Sequence, residues 1–175
     1  MNQLTFRRAR PSDTRPILNL INFYSTKGVM LPRSFAQVVE KIRDFTVAIS
    51  PYAEGSGDRE AVVQEELKGV VALHVVGEEL AEVRSLAVAE SLQGKGVGKK
   101  LLQFCIEEAK EMRLQRIFTL TYQTEFFTKL GFVKVEKLTL PQKIWGDCIH
   151  CAKFSDCDEI AMLLEFSKIE RSSKL

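Results

Sequence analysis

Three glycines at alternate positions form the segment whose residue types point most directly to chemistry. They lie in the run Gln93-Gly94-Lys95-Gly96-Val97-Gly98. The mostly apolar residues 83–88 before the run predict a strand, and apolar residues after it recur with the period of an amphipathic helix. At such a helix start the unpaired amides converge, and the helix dipole adds partial positive charge. The run therefore predicts a site for a phosphorylated cofactor.

The spacing of the glycines distinguishes between the known phosphate-binding turns. A dinucleotide-binding turn requires Gly-x-Gly-x-x-Gly, which Gly94, Gly96 and Gly98 do not follow. A Walker turn ends in Gly-Lys-Ser/Thr, and Lys100 stands where the hydroxyl residue belongs. The pattern that fits is Gln-x-x-Gly-x-Gly after a Leu-Ala-Val strand. It resembles the acetyl-CoA signature of the GNAT acyltransferases, in which the amides of the turn hold the CoA pyrophosphate.

This resemblance also implies which residues bind the cofactor. The strand before the turn would offer its backbone to the pantetheine arm, and the turn would hold the phosphates. The expected cofactor-binding residues are Leu86, Ala87, Val88, Gln93, Gly94, Lys95, Gly96, Val97, Gly98 and Lys99. In the GNAT family acetyl-CoA lies where two neighbouring parallel strands splay, which here would be the strands that end near Val88 and Thr121.

Composition limits the class of protein. The chain has 175 residues, of which 45% are hydrophobic and 27% charged, so we expect one globular domain over residues 1–175. No apolar run approaches the roughly 20 residues that span a bilayer, and the N-terminus lacks the apolar stretch of a signal peptide. The net charge of +2, with its basic residues spread out, does not favour nucleic acid. We expect a cytoplasmic protein with a small-molecule substrate and no nucleic-acid or membrane partner; a homodimer stays open.

The elements predicted along the chain form one mixed sheet. We predict strands over residues 4–9, 45–49, 67–76, 81–89, 116–121, 132–138 and 159–166, with a hairpin loop over 51–66. We predict helices after Pro11, over 34–42, after the glycine run, over 124–130 and after Pro141. Hairpin strands followed by alternating strands and helices indicate an α/β protein with a mixed α+β sheet. This order resembles the GNAT fold, in which splayed central parallel strands are flanked by helices.

Acetyl transfer from a thioester to an amine requires only a few protein groups. A base takes the ammonium proton, donors stabilise the oxyanion, and an acid protonates the leaving thiolate. Glu82 opens the strand before the glycine run, and Glu78 and Glu79 lie in the turn before it. Exposed acids at the start of a strand commonly serve solubility alone, so position leaves the role of Glu82 open.

Three segments resemble the short, single-domain bacterial N-acetylglutamate synthases. They are Leu31-Pro32-Arg33-Ser34, Glu82-Val83-Arg84-Ser85-Leu86-Ala87-Val88 and Trp145-Gly146-Asp147-Cys148-Ile149-His150-Cys151. The resemblance implies that Leu31 and Arg33 hold the amino-acid substrate, that Glu82 is the base, and that Thr121 is an acid or an orienting hydroxyl. Ser85 joins the expected substrate-binding residues, while Arg84 points to the other face of the strand, where it would contact an acid instead of the substrate.

The residue types suit these roles but leave two alternatives. A guanidinium grips a glutamate carboxylate with two parallel hydrogen bonds, although Arg33 would equally serve as a solvated residue at the start of the second helix. Many GNAT enzymes use a tyrosine acid four residues before a Gly-Phe step, and Phe127 occupies that position here. Tyr122 is the expected replacement as a catalytic residue, or else it packs.

A cluster of cysteines near the C-terminus raises the question of a metal. Cys148 and Cys151 would lie one turn apart on a helix that follows Pro141, which suits two zinc ligands, and Cys157 is the third candidate. The fourth ligand would come from Asp147, His150, Asp156 or Asp158. The simpler interpretation is that reduced thiols pack a small core within residues 141–166, and it is favoured.

The sequence thus favours an N-acetyltransferase that transfers acetyl from acetyl-CoA directly to the α-amine of L-glutamate. In the family that it resembles, this reaction opens arginine biosynthesis. The alternatives are another amino acid such as glutamine, a small amine or a protein N-terminus as substrate, or a non-catalytic module that binds acyl-CoA. Arg33 together with Glu82 favours an enzyme that acts on a carboxylated amine, because a binding module needs neither residue.

Overall fold

The computed structural model describes residues 4–54, 62–140 and 157–166. These residues form a seven-stranded sheet in the order β1-β2-β3-β4-β5-β7-β6. The strands are β1 Thr5–Arg8, β2 Phe45–Glu54, β3 Val62–Val75, β4 Leu80–Val88, β5 Arg116–Thr121, β6 Val133–Lys134 and β7 Ile160–Glu165. The helices are α1 Thr14–Thr26, α2 Phe35–Glu40, α3 Val97–Glu111 and α4 Thr124–Thr128.

The pairing of the strands confirms a mixed sheet. β1 with β2, β2 with β3, β5 with β7 and β6 with β7 are antiparallel, whereas β4 and β5 are parallel. In the described residues the parallel register runs from Leu80↔Arg116 to Glu82↔Phe118. β4 then continues to Val88 and β5 to Thr121, so in the described residues these two strands pair at their starts, as expected for a GNAT fold.

The chain groups into two compact units, Met1–Ala72 with Ser85–Cys105 and Leu73–Arg84 with Ile106–Leu175. In the first unit, apolar residues at helical spacing on α1 pack with alternate residues of β2 and β3, as an amphipathic helix on a sheet requires. The buried core of this unit consists of Ile17, Ile21, Tyr24, Val38, Phe45, Val47, Ile49, Val70, Ala72 and Ala87.

An ion pair fixes the start of α1. The guanidinium of Arg7 on β1 donates to both carboxylate oxygens of Asp13 at 2.7 and 3.1 Å, and the Arg10 amide donates to Asp13 Oδ2 at 2.6 Å. Burial alone would raise the pKa of Asp13, but these hydrogen bonds outweigh it and hold the pKa below its usual value. The carboxylate therefore stays charged at neutral pH and anchors the helix to the first strand.

Helix α3 packs closely on the sheet of the first unit because β3 carries a glycine beneath it. A Cβ on Gly69 would lie 2.9 Å from Leu101 Cδ1 and 3.4 Å from the Ala87 carbonyl oxygen. Leu101, Leu102 and Cys105 of α3 are buried. Burial raises the pKa of the Cys105 thiol to about 12, so this cysteine is an inert core residue.

The second unit has its own apolar core and an aromatic cluster. Leu80, Phe118, Leu140 and Ala161 are buried together. Phe127 packs edge-on against both Phe126 and Phe132, with ring centroids 5.1 and 5.2 Å apart. The position at which many GNAT enzymes have a tyrosine therefore belongs to the packed core in this chain.

Some predicted bounds need correction. The loop predicted over residues 51–66 is shorter, because β2 extends to Glu54 and β3 begins at Val62. The strand predicted over 132–138 is confined to β6, Val133–Lys134, and a 3-10 turn follows at Lys137–Thr139. The helix expected after Pro141 lies outside the described residues.

Candidate active site

The glycine turn (residues 93–98) joins the end of β4 to α3, as predicted. A 3-10 turn at Glu90–Leu92 leads into it, and α3 begins at Val97. Gly94 and Gly96 have φ angles of +71° and +82°, and an added Cβ on either meets nothing within 4 Å. The positive φ, not crowding, therefore requires glycine here. The first amides of α3 have no intrahelical partner, so the turn presents donors and the positive end of the helix dipole.

The side chain of Gln93 has a partner within the protein. Its Nε2 donates to the Tyr24 hydroxyl at 2.7 Å and lies 3.5 Å from the Val88 carbonyl oxygen. The Tyr24 hydroxyl in turn donates to the same carbonyl at 2.5 Å. Burial raises the pKa of the Tyr24 phenol, so the hydroxyl stays protonated at neutral pH. The carboxamide of Gln93, an expected cofactor ligand, therefore stabilises the end of β4.

Charged side chains flank the glycine turn. Lys27, which follows α1, forms an ion pair with Glu90 in the 3-10 turn. Lys95 and Lys99, both expected to bind cofactor, are exposed. Exposed ammonium groups next to the first amides of α3 favour an anionic ligand at this turn.

Leu31 and Arg33 lie in the connection between α1 and α2, and both are half-buried. The Arg33 segment (residues 31–33) is held by backbone hydrogen bonds. The Arg33 amide donates to Asn22 Oδ1 at 3.0 Å, and Asn22 Nδ2 donates to the Arg33 carbonyl at 3.2 Å. Ser34 then caps α2 as predicted, with Gln37 completing a reciprocal capping box. The cap of α2 is therefore Ser34, and Arg33 has its backbone fixed just before it.

Glu82 and Arg84 form an ion pair on β4. Arg84 Nη2 lies 2.5 Å from Glu82 Oε2, and the two side chains are 9% and 14% exposed. Residues two apart on a strand project from the same face, which brings this pair together. The expectation that Arg84 contacts an acid is confirmed, and the acid is the candidate base.

Ser85 interrupts the regular backbone of β4. Its φ of +55° lies in the left-handed region, which a residue with a Cβ seldom adopts. Non-glycine residues in this conformation cluster at functional sites, where the surrounding structure maintains the strain. The irregularity comes immediately before Leu86, Ala87 and Val88, the backbone expected to contact the pantetheine arm.

The candidate acids at the end of β5 both have protein partners. Thr121 is 8% exposed, and its hydroxyl accepts a hydrogen bond from the Gln123 amide at 2.9 Å. The Tyr122 hydroxyl donates to Asp158 Oδ1 at 2.6 Å. This hydrogen bond raises the pKa of Tyr122 above its usual value, which makes the phenol a weaker acid. The hydroxyl oxygen of Thr121 is therefore fixed by the Gln123 amide, whereas the proton of Tyr122 is directed to Asp158.

Of the three candidate zinc ligands, Cys148 and Cys151 lie outside the described residues. Lys137 Nζ donates to the Cys157 carbonyl at 2.7 Å and lies 3.4 Å from Cys157 Sγ. An ammonium beside the sulfur opposes a metal cation there. Within residues 4–54, 62–140 and 157–166, no three potential ligands of the His, Cys, Asp or Glu type gather at one point.

Comparison with known proteins identifies the family. Residues 35–132 match the acetyltransferase (GNAT) family. The chain belongs to the GNAT acetyltransferases. An uncharacterised N-acetyltransferase of Chlorobaculum tepidum is 37% identical over 157 residues, which cover 90% of this chain and 93% of that one. An amino-acid acetyltransferase of Mycobacterium tuberculosis is 31% identical over 141 residues, covering 81% and 75%.

Solved GNAT structures share the fold. A Mycobacterium tuberculosis protein in complex with CoA superposes with a TM-score of 0.71 at 28% identity, covering 93% of this chain and 99% of that chain. N-acetylglutamate synthase of Neisseria gonorrhoeae, complexed with CoA and N-acetyl-glutamate, gives a TM-score of 0.77 at 24% identity over 96% of this chain and 36% of that chain. Both of these solved structures contain CoA. No helix in the described part of this GNAT chain has the length and apolar character to cross a membrane.

Sequence reasoning missed two residues that the structure places at these segments. Asn22 holds the Arg33 backbone, and Tyr24 holds the end of β4. A weak signal for Asn22 was present, because asparagine is a poor helix former in a helix interior. Tyr24 follows the apolar period of α1 and gave no separate signal.

Proposed function

We propose that this GNAT acetyltransferase transfers the acetyl group of acetyl-CoA to the α-amine of L-glutamate, the entry reaction of arginine biosynthesis. The proposal is carried by one observation: Asn22 fixes the backbone of Arg33, an arginine in the connection between α1 and α2. A 31% identical relative is named an amino-acid acetyltransferase, which supports an amino-acid substrate. The cytoplasmic location and the homodimer stay predictions.

The glycine turn receives the pyrophosphate of CoA. Its positive-φ glycines and the start of α3 supply amide donors with no side chain in the way. Leu86, Ala87 and Val88 offer backbone groups to the pantetheine arm. Lys95 and Lys99 add positive charge that attracts the phosphates.

Arg33 selects a carboxylated substrate. A planar guanidinium binds a carboxylate through two parallel hydrogen bonds, which fixes orientation as well as charge. Because hydrogen bonds fix the Arg33 backbone, its side chain has fewer accessible conformations. It therefore loses less conformational entropy when the substrate binds. Leu31 and Ser85 complete the proposed contacts to the substrate.

Glu82 takes the proton from the α-ammonium group, so that the nitrogen lone pair attacks the thioester carbonyl. The resulting C–N bond places negative charge on the carbonyl oxygen, and backbone amides near the Ser85 irregularity are the proposed donors to it. Collapse breaks the C–S bond and releases the CoA thiolate. Thr121 is the proposed proton relay, because Tyr122 donates to Asp158 instead. Its hydroxyl gives a proton to the sulfur and takes one from the new amide nitrogen, which still carries one excess proton after the attack.

Replacing Gly96 by aspartate tests the cofactor assignment. Asp at a φ of +82° is strained and brings negative charge next to the phosphates. We expect the CoA Kd, measured by calorimetry, to rise about tenfold or more, equivalent to roughly 1.4 kcal/mol. Gly28→Asp is the matched control, because Gly28 also has a positive φ of +72° and open space. Equal losses in the two variants would contradict the assignment.

Replacing Glu82 by glutamine tests the base. The variant keeps the shape of the side chain but cannot accept the proton, so kcat is expected to fall about 10²-fold or more. The KM for acetyl-CoA is expected to stay within about twofold of the wild-type value, because Glu82 is not among the proposed cofactor contacts. Glu78→Gln, in the exposed turn before β4, is the control. Near wild-type kcat at neutral pH in Glu82→Gln would move the role to another acid or to water.

Replacing Arg33 by lysine tests the substrate class. The charge is kept but the two-pronged contact is lost. The glutamate KM is expected to rise tenfold or more, on the order of the 1.5–3 kcal/mol of a charged hydrogen bond, while the acetyl-CoA KM barely changes. Arg43→Lys, an exposed position, is the control.

A second substrate sharpens the Arg33 test. Glutamate amidated at its α-carboxylate is expected to be a poor substrate of the wild type and to lose little more in Arg33→Lys. The glutamate assignment is wrong if the variant loses both substrates equally. It is also wrong if the wild type prefers amines that carry no carboxylate.

A further inference from the structure

Helix α1 contacts two separate segments through residues that stand only two positions apart. Asn22 bonds the backbone of Arg33, and the Tyr24 hydroxyl donates to the Val88 carbonyl at the end of β4. At 3.6 residues per turn, positions two apart point about 200° from each other around the helix axis. One helix therefore reaches one segment from each of its two sides.

We propose that α1 positions both binding segments, the Arg33 segment through Asn22 and the glycine turn through Tyr24. Neither residue touches a substrate in this account, so both are positioning residues. The inference rests on the proposed roles of Arg33 and the glycine turn. It goes beyond those roles by assigning a separate positioning role to each of two further residues.

The carboxamide of Asn22 suits its task because it is both a donor and an acceptor. Its Oδ1 accepts from the Arg33 amide at 3.0 Å, and its Nδ2 donates to the Arg33 carbonyl at 3.2 Å. Both backbone polar groups of one residue are thus satisfied by one side chain, as a neighbouring strand would satisfy them. On the other side of Arg33, the capping box of Ser34 and Gln37 fixes the next residue at 2.8 and 3.2 Å. The peptide groups on both sides of the Arg33 Cα are held.

Tyr24 carries out the corresponding task at the glycine turn. Tyr24 is 8% exposed and belongs to the core of the first unit, so its hydroxyl is held at the end of a packed side chain. That hydroxyl donates to Val88 and accepts from Gln93 Nε2 at 2.7 Å. The last carbonyl of β4 and the first residue of the glycine turn are thereby joined through one oxygen. One turn later, the ion pair of Lys27 with Glu90 holds the intervening 3-10 turn.

Because the two side chains contact different segments, their loss is predicted to affect different substrates. Loss of the Asn22 carboxamide frees the Arg33 segment and leaves the glycine turn alone. Loss of the Tyr24 hydroxyl frees the glycine turn and leaves the Arg33 segment alone. A merely structural role for α1 would instead lower the stability of the whole protein and affect both substrates together.

The test compares Asn22→Ala and Tyr24→Phe in the full-length protein, with KM for glutamate and for acetyl-CoA and kcat as readouts. Asn22→Ala is expected to raise the glutamate KM about fivefold or more, as the loss of two neutral hydrogen bonds implies. Tyr24→Phe is expected to raise the acetyl-CoA KM by a similar factor. In each variant the other KM is expected to stay within about twofold.

Asn19→Ala is the matched control, since Asn19 is exposed on the same helix and the change in helix propensity is the same. If Asn22→Ala fails to fold, Asn22→Asp replaces it, because the aspartate keeps the acceptor and removes the donor. Equal shifts of both KM values in either variant, or shifts no larger than those of Asn19→Ala, would overturn the proposal.

Hydrogen exchange separates this proposal from the proposed function. The Arg33 amide is expected to exchange about tenfold faster in Asn22→Ala, because its acceptor is gone. Faster exchange with no effect of Arg33→Lys on the glutamate KM would refute the substrate role of Arg33 and leave the Asn22 contact standing. Unchanged exchange and unchanged glutamate KM in Asn22→Ala, with Arg33→Lys still impaired, would refute the role of Asn22 alone.

Discussion

The hydrogen bond from the Tyr24 hydroxyl to the Val88 carbonyl is the interaction on which the arrangement of the glycine turn depends. The bond joins residues 64 positions apart in the chain. A hydrogen bond of this kind contributes about 1 kcal/mol to stability, so the contact favours one path for the chain as it leaves the strand. Gln93 adds a second donor to the same pair of oxygens. These hydrogen bonds, together with the close packing of Leu101 against Gly69, position the start of α3.

A second constraint lies in the charges of β4. Glu82 and Arg84 contact each other at 2.5 Å with little exposure to solvent, 14% and 9%. Charges removed from water interact more strongly than exposed ones, so the pair orients the carboxylate of Glu82. Proton transfer requires a defined geometry between base and substrate, and a fixed carboxylate would give the proposed base that geometry. Arg84 therefore belongs to the proposed chemistry as the residue that orients Glu82.

The glycine turn, the cap at Ser34 and the strand–helix order could be predicted because each rests on local rules. Positive φ selects glycine, a serine before an apolar run selects a helix start, and strand and helix have different periods. The contacts of Asn22, Tyr24 and Tyr122 could not be predicted in this way. Tyr122 meets Asp158 from 36 positions away, and no local pattern encodes which distant side chain a hydroxyl will face. β6 was predicted too long because apolar content alone does not reveal where pairing with a neighbouring strand stops.

The central claim is that the acceptor is an amino acid recognised through its carboxylate, with glutamate preferred. The most direct measurement presents the purified protein with acetyl-CoA and each of the twenty amino acids in turn, together with small amines that lack a carboxylate, and follows thiol release. The account predicts the highest kcat/KM for glutamate and negligible turnover of the amines. A higher kcat/KM for an amine without a carboxylate, or no release of thiol above background with any amino acid, would contradict it.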